Sequence, residues 1–97
     1  MIMMLTLPYN STHTVEGRVK HLRSLLLVHS YLYYTLDTPI VTDHKWQQWA
    51  NELRDIQAVT PCAIGWYDNE FKDWNGSTGY HLPVDAFVKT VTKRLGL

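Results

Sequence analysis

Tyr33, Tyr34, Asp37, Pro39, Asp43 and Trp46 crowd into one short stretch of this chain. Two flat rings held face to face can clamp a planar group, and stacking a base on an aromatic is worth about 1–3 kcal/mol. A carboxylate such as Asp43 can accept hydrogen bonds from ribose hydroxyls. The amides of a helix start can hold a phosphate. The plainer use of Tyr33 and Trp46 is as the packed seam of two helices, and spacing alone favours it. A second constellation is Asn75-Gly-Ser-Thr-Gly79. Its amides, with the Ser77 and Thr78 hydroxyls, could turn toward an anion. An Asn-Gly turn followed by a Ser/Thr cap is again the simpler account.

Other chemistries find less support. His13, His21, His29, His44 and His81 show no short metal-ligand spacing; a site built from Asp43, His44 and His81 is the weakest of the candidates. His29 falls in an apolar stripe, where a histidine is usually hydrogen-bonded in the core or at a pocket wall. Cys62 is the single cysteine, which excludes an internal disulfide, and no base pairs with it for nucleophilic catalysis. Arg18, Lys20, His21 and Arg23 read as a solvated basic face, as do Lys89, Lys93 and Arg94.

These residues need a scaffold, and 97 residues allow one small domain. Nine Lys+Arg balance nine Asp+Glu, so bulk charge does not favour nucleic acid. The start, Met1 to Leu7, lacks the basic region of a secretion signal, and no apolar run approaches the roughly 20 residues of a membrane span. The expectation is a cytoplasmic protein. Val15, Val19, Leu22, Leu26, His29, Tyr33 and Leu36 recur at helical steps. Thr12 or Thr14 caps that helix, and Asp37-Thr38-Pro39 ends it. Thr42 caps a second helix, with Val41 placed to staple onto Trp46; Trp46, Trp49, Leu53 and Ile56 form its stripe, and Thr60-Pro61 closes it. Residues 61–82 carry no sustained period, yet Trp66, Tyr67, Phe71, Trp74 and Tyr80 should pin them in place. A third helix opens near Pro83, carries Val84, Phe87, Val88, Val91 and Leu95, and stops at Gly96. The expected fold is mainly α: an N-terminal segment over 1–13, a helical hairpin over 14–60, and an ordered aromatic/Gly loop with a C-terminal helix over 61–97.

The run His29-Ser-Tyr-Leu-Tyr-Tyr-Thr-Leu-Asp-Thr-Pro-Ile-Val-Thr-Asp-His-Lys-Trp resembles the N-terminal Ia domain of bacterial NAD-dependent DNA ligases. That family carries Tyr-x-Tyr-(Tyr/His)-x-x-Asp-x-Pro-x-x-x-Asp-x-x-Tyr-Asp between two helices, where it grips the nicotinamide mononucleotide half of NAD. Asn51 to Ile56 is similar to the family's second helix. The resemblance covers about residues 20–57. It implies ring-stacking and phosphate-side roles for Tyr33 and Tyr34, the acidic role for Asp43, and the second stacking ring for Trp46. Gln47 replaces an Asp, a departure that puts a donor where the family has only an acceptor. The family's adenylation motif, Lys-x-Asp-Gly, is not matched: Asp73 stands at the lysine position of Asp73-Trp-Asn-Gly76. The stretch from Phe71 to Pro83 resembles small phage proteins described as relatives of the Ia domain.

The resemblance implies a phage-type, non-catalytic binding protein with no required cofactor. Its ligand would be nicotinamide mononucleotide, NAD or an ADP-ribose derivative, held by Tyr33, Tyr34, Asp43, Trp46, Gln47, Asn75, Ser77 and Thr78. Sequestering an NAD-derived immune signal in the host cell would be its use. Nanomolar holding, about −12 kcal/mol, exceeds two stacks. Residues 74–80, or a pocket shared in a homo-oligomer, must therefore add contacts. A rival of another class is an inhibitor that docks on a host protein through Trp66 or Trp74, with the hairpin as scaffold. An enzyme acting on NAD-derived nucleotides would have to draw on Asp43, Glu70 or Asp73.

Overall fold

The computed structural model describes residues 14–60 and 63–96. The N-terminal segment, with Thr12 and His13, and also Pro61 and Cys62, lie outside the described residues. Four α-helices follow one another: α1 (Val15–Ser30), α2 (Asp43–Val59), α3 (Asp68–Phe71) and α4 (Ala86–Arg94). A π-turn, Tyr31–Thr35, extends α1.

Caps set the boundaries. The Thr14 hydroxyl accepts from the Gly17 amide at 2.9 Å and starts α1. Thr42 does the same for α2, accepting from Lys45 at 3.0 Å. Helix α4 starts at Ala86 and not near Pro83, because the Asp85 carboxylate accepts from the Val88 amide and acts as the N-cap. The aromatic loop contains the one-turn helix α3, which has no apolar period for the sequence to advertise. Tyr67, in left-handed backbone at φ 56°, turns the chain into it.

The π-turn decides which residues reach the cleft. Val19, Leu22 and Leu26 are fully buried, as the helical stripe requires. A regular helix would have carried that stripe on to Tyr33 and Leu36. The wider turn, closed by Leu36 N donating to Tyr31 O at 3.1 Å, rotates the register. Leu32 goes into the core, while Tyr33, Tyr34 and Leu36 come out to solvent. Asp37, at φ 52°, then turns the chain toward α2.

Residues beyond the hairpin complete the core. Ala50 and Leu53 of α2 meet α1, and Phe71, Trp74, Leu82 and Val88 close over them. Trp74 is a core residue and not a surface aromatic: its indole N–H donates to Ala50 O at 3.0 Å. Trp66 is also held, donating to Ser24 Oγ at 3.0 Å and meeting Phe87 edge to face. Tyr80, by contrast, is 76% exposed and pins nothing in the core.

Arg23 overturns the expectation of a solvated basic face. It is 1% exposed and donates to Trp66 O at 2.6 Å, Asp68 Oδ1 at 2.7 Å and Gln57 Oε1 at 2.8 Å. The network ties α1, α2 and α3 together. Asp68 also accepts from the Ile64 and Gly65 amides, and these bonds, with Arg23 foremost, hold its carboxyl below the usual range. Arg18 makes a two-pronged pair with Glu52 across the α1–α2 interface, both contacts at 2.6 Å. Glu52 is pulled below its ordinary value chiefly by that bond.

Candidate functional site

Where the π-turn faces the start of α2, a cleft of about 550 Å³, mouth included, opens between His29, Tyr33, Tyr34, Pro39, Val41, Thr42, Asp43, Trp46, Gln47 and Ser77. Six of the eight residues expected from the sequence thus meet at one place: Tyr33, Tyr34, Asp43, Trp46, Gln47 and Ser77. Asn75 and Thr78 do not line it but hold those that do. The Asn75 side-chain oxygen accepts from both the amide and the hydroxyl of Ser77, at 2.9 and 2.7 Å. Thr78 Oγ1 shares a hydrogen bond with the Tyr34 hydroxyl at 3.1 Å.

Each ring is fixed by specific neighbours. The Trp46 indole N–H donates to Ser30 Oγ at 3.1 Å, and its edge meets Trp74 at a centroid distance of 6.2 Å. Gly79 packs so closely here that a Cβ would collide with Ser30 Oγ and press on Trp46. Tyr33 and Tyr34 meet edge to face at 4.8 Å, and Tyr34 meets Tyr80 the same way at 5.6 Å. The result is a line of half-open rings around one carboxylate, Asp43, at the first position of α2.

The Asn75–Tyr80 segment takes the simpler of the two forms. Asn75 occupies the Ser77 amide, and Thr78 Oγ1 accepts from the Tyr80 amide at 3.2 Å, an Asx turn followed by a Ser/Thr turn. Those two amides face side-chain oxygens within the loop. Gln47 supplies the link to the hairpin: Nε2 donates to Gly76 O at 2.8 Å and to Asn51 Oδ1 at 2.9 Å. A carboxylate at this position could do neither, since it only accepts.

Four lining residues stand outside the expected eight: His29, Pro39, Val41 and Thr42. His29, expected to be hydrogen-bonded in the core or at a pocket wall, lines the cleft wall, and its buried Nδ1 has no hydrogen-bond partner among the described residues. Its ring lies 5.1 Å from Trp49, and burial holds its pKa below the ordinary histidine value. Its place one turn before Tyr33 was the available signal. His44 and His81 join no metal-holding cluster among the described residues.

Residues 12–65, more than half of the chain, match the family described as DNA ligase-like, N-terminal NAD+-binding domain. The chain belongs to this family. Relatives include the DNA ligases of Chloroflexus aurantiacus, 44% identical over 51 residues, and Shouchella clausii, 45% identical over 52 residues. The DNA ligase of Pseudomonas putida GB-1 is 42% identical over 51 residues. The matched stretch is 53–54% of this chain but only 7–8% of those ligases. No solved structure matches the chain. The cleft spans the boundary of the family match: its two helical walls lie inside residues 12–65, whereas Ser77, and the Gly76 that Gln47 grips, lie outside. No helix of the described residues is long and apolar enough to cross a membrane.

Proposed function

We propose that this chain is a non-catalytic binding protein for a nicotinamide- or ADP-ribose-type nucleotide. The observation that carries the reading is the convergence of Tyr33, Tyr34, Asp43 and Trp46 on one cleft in a family described as NAD+-binding. Tyr33 and Trp46 stack on the planar ring, Asp43 accepts from the ribose, and Ser77 Oγ, its proton donated to Asn75, accepts from a ligand hydroxyl or amide. Asp43 is the one carboxylate among the described residues that line the cleft, placed to accept from a ligand hydroxyl. Sequestration of an NAD-derived immune signal in a phage-infected host cell is the use that fits such a module.

The test is the melting temperature of the purified protein with NAD, nicotinamide mononucleotide, ADP-ribose and cyclic ADP-ribose isomers. A ligand at a hundred times its Kd stabilises by about 2.7 kcal/mol, which raises the melting point by roughly 10 °C or more in a domain of this size. Trp46→Ala and Tyr33→Ala should abolish the shift. Binding that survives both variants unchanged, or conversion of the ligand on prolonged incubation, refutes the reading. A second reading rests on Tyr80, exposed beside Tyr33 and Tyr34: the three rings form a docking surface for a host protein. It predicts a co-purifying partner lost on Tyr80→Ala, with no nucleotide shift.

A further inference from the structure

His29 carries an inference that rests on the nucleotide-binding reading and extends it. A buried polar atom without a hydrogen bond is uncommon and destabilising, so each instance asks for a physical reason. Among the described residues His29 Nδ1 is such an atom. The ring nonetheless lines the cleft with Tyr33 and Trp46, and its centre lies 5.1 Å from that of Trp49. A neutral imidazole has one N–H and one bare nitrogen. Burying a bare lone pair is better tolerated than burying an N–H with no acceptor. The proton therefore belongs on Nε2, the other nitrogen of a ring that lines the cleft.

We propose that His29 is a ligand-contacting residue that donates through Nε2–H to an oxygen acceptor on the bound ring, a carbonyl such as that of a carboxamide. The Trp49 contact restrains the ring, and the buried Nδ1 fixes the tautomer. Burial, which disfavours the charged form, keeps the ring neutral and spares a pyridinium ligand the repulsion of a second cation. His29 thus works with Asp43: one accepts from the sugar, the other donates to the ring substituent.

Titration calorimetry of the full chain with nicotinamide mononucleotide at pH 7.5 tests this. His29→Phe keeps a flat ring against Trp49 but has no donor, and should weaken binding about tenfold, the loss of one hydrogen bond. His29→Gln restores an N–H and should recover most of that loss. Nitrogen-15 spectra of histidine-labelled wild-type protein give a readout independent of how the variants fold. They should show the Nε2–H tautomer, with the Nε2 signal of His29 moving on addition of the mononucleotide. Wild-type affinity in His29→Phe, an Nδ1–H tautomer, or an unmoved Nε2 signal overturns the role of His29 while leaving nucleotide binding intact. No binding by the wild-type chain overturns both.

Discussion

Replacing Arg23 with alanine removes a buried cation whose side chain is 2% exposed, together with donors to three different segments. Trp66 O, Asp68 Oδ1 and Gln57 Oε1 all lose a partner, and Phe71 loses the guanidinium seated 5.6 Å from its ring centre. Breaking a buried ion pair from one side costs about 3–5 kcal/mol. Asp68 is 36% exposed and regains water, which places the expected loss at the lower end, about 3 kcal/mol. A domain of this size has about 5–15 kcal/mol in total, and each kcal/mol shifts its melting point by about 4–8 °C. The melting point should therefore fall by about 12–24 °C. Urea unfolding followed by tryptophan fluorescence gives the free energy, with Trp66 and Trp74 reporting on the region that Arg23 anchors. Arg23→Lys keeps the charge but not the planar fork and should fall between the two. A loss below about 1 kcal/mol for Arg23→Ala, or full stability for Arg23→Lys, would refute the claim that this multi-way donor holds the C-terminal region on the hairpin.

Gly79→Ala should destabilise by about 1–3 kcal/mol and displace Trp46, because the new Cβ collides with Ser30 Oγ; an unchanged melting point and indole signal would contradict this. Gln47→Asp introduces the residue of the ligase pattern but removes the donor to Gly76 O, at a cost of about 1 kcal/mol. Amide exchange in residues 75–80 should quicken in that variant, and exchange at the wild-type rate would show that the link is idle. For pH, the His29 pKa lies below its unfolded value of 6.5, so the unfolded chain takes up the proton first and stability falls as pH drops from about 6.5. Asp43, Tyr33 and Tyr34 are the other titratable groups lining the same cleft, and none adds a cation. A second fall follows below about pH 4, where Glu52, Asp68 and Asp85, all held low in the folded state, take up protons. Melting temperatures at pH 7.5, 5.5 and 3 should descend in that order; a higher value at 5.5 than at 7.5 would reverse the assigned sign.

Local signals carried much of this protein. Thr14 and Thr42 cap their helices because a hydroxyl just before an apolar repeat needs only its own next turn to satisfy. The pairing of Tyr33 and Tyr34 with Asp43 and Trp46 was legible for a similar reason, since a short connection between two helices leaves few ways to arrange their ends. What tertiary structure decided depends on partners distant in sequence. Arg23 looked solvated because Asp68 and Trp66 lie more than forty residues away, and Trp74 looked like a surface aromatic until Ala50 O supplied an acceptor for its indole. The π-turn was also hidden: one wide turn moves Leu32 inward and Tyr33 outward, and the apolar repeat reads the same with or without it. Gln47 marks the divide. Its identity showed a departure from the ligase pattern, and only the fold, by bringing Gly76 O within 2.8 Å, showed what a donor there is for. Sequence spacing determines what lies one turn away, whereas burial and long-range hydrogen bonds arise only when the whole chain closes on itself.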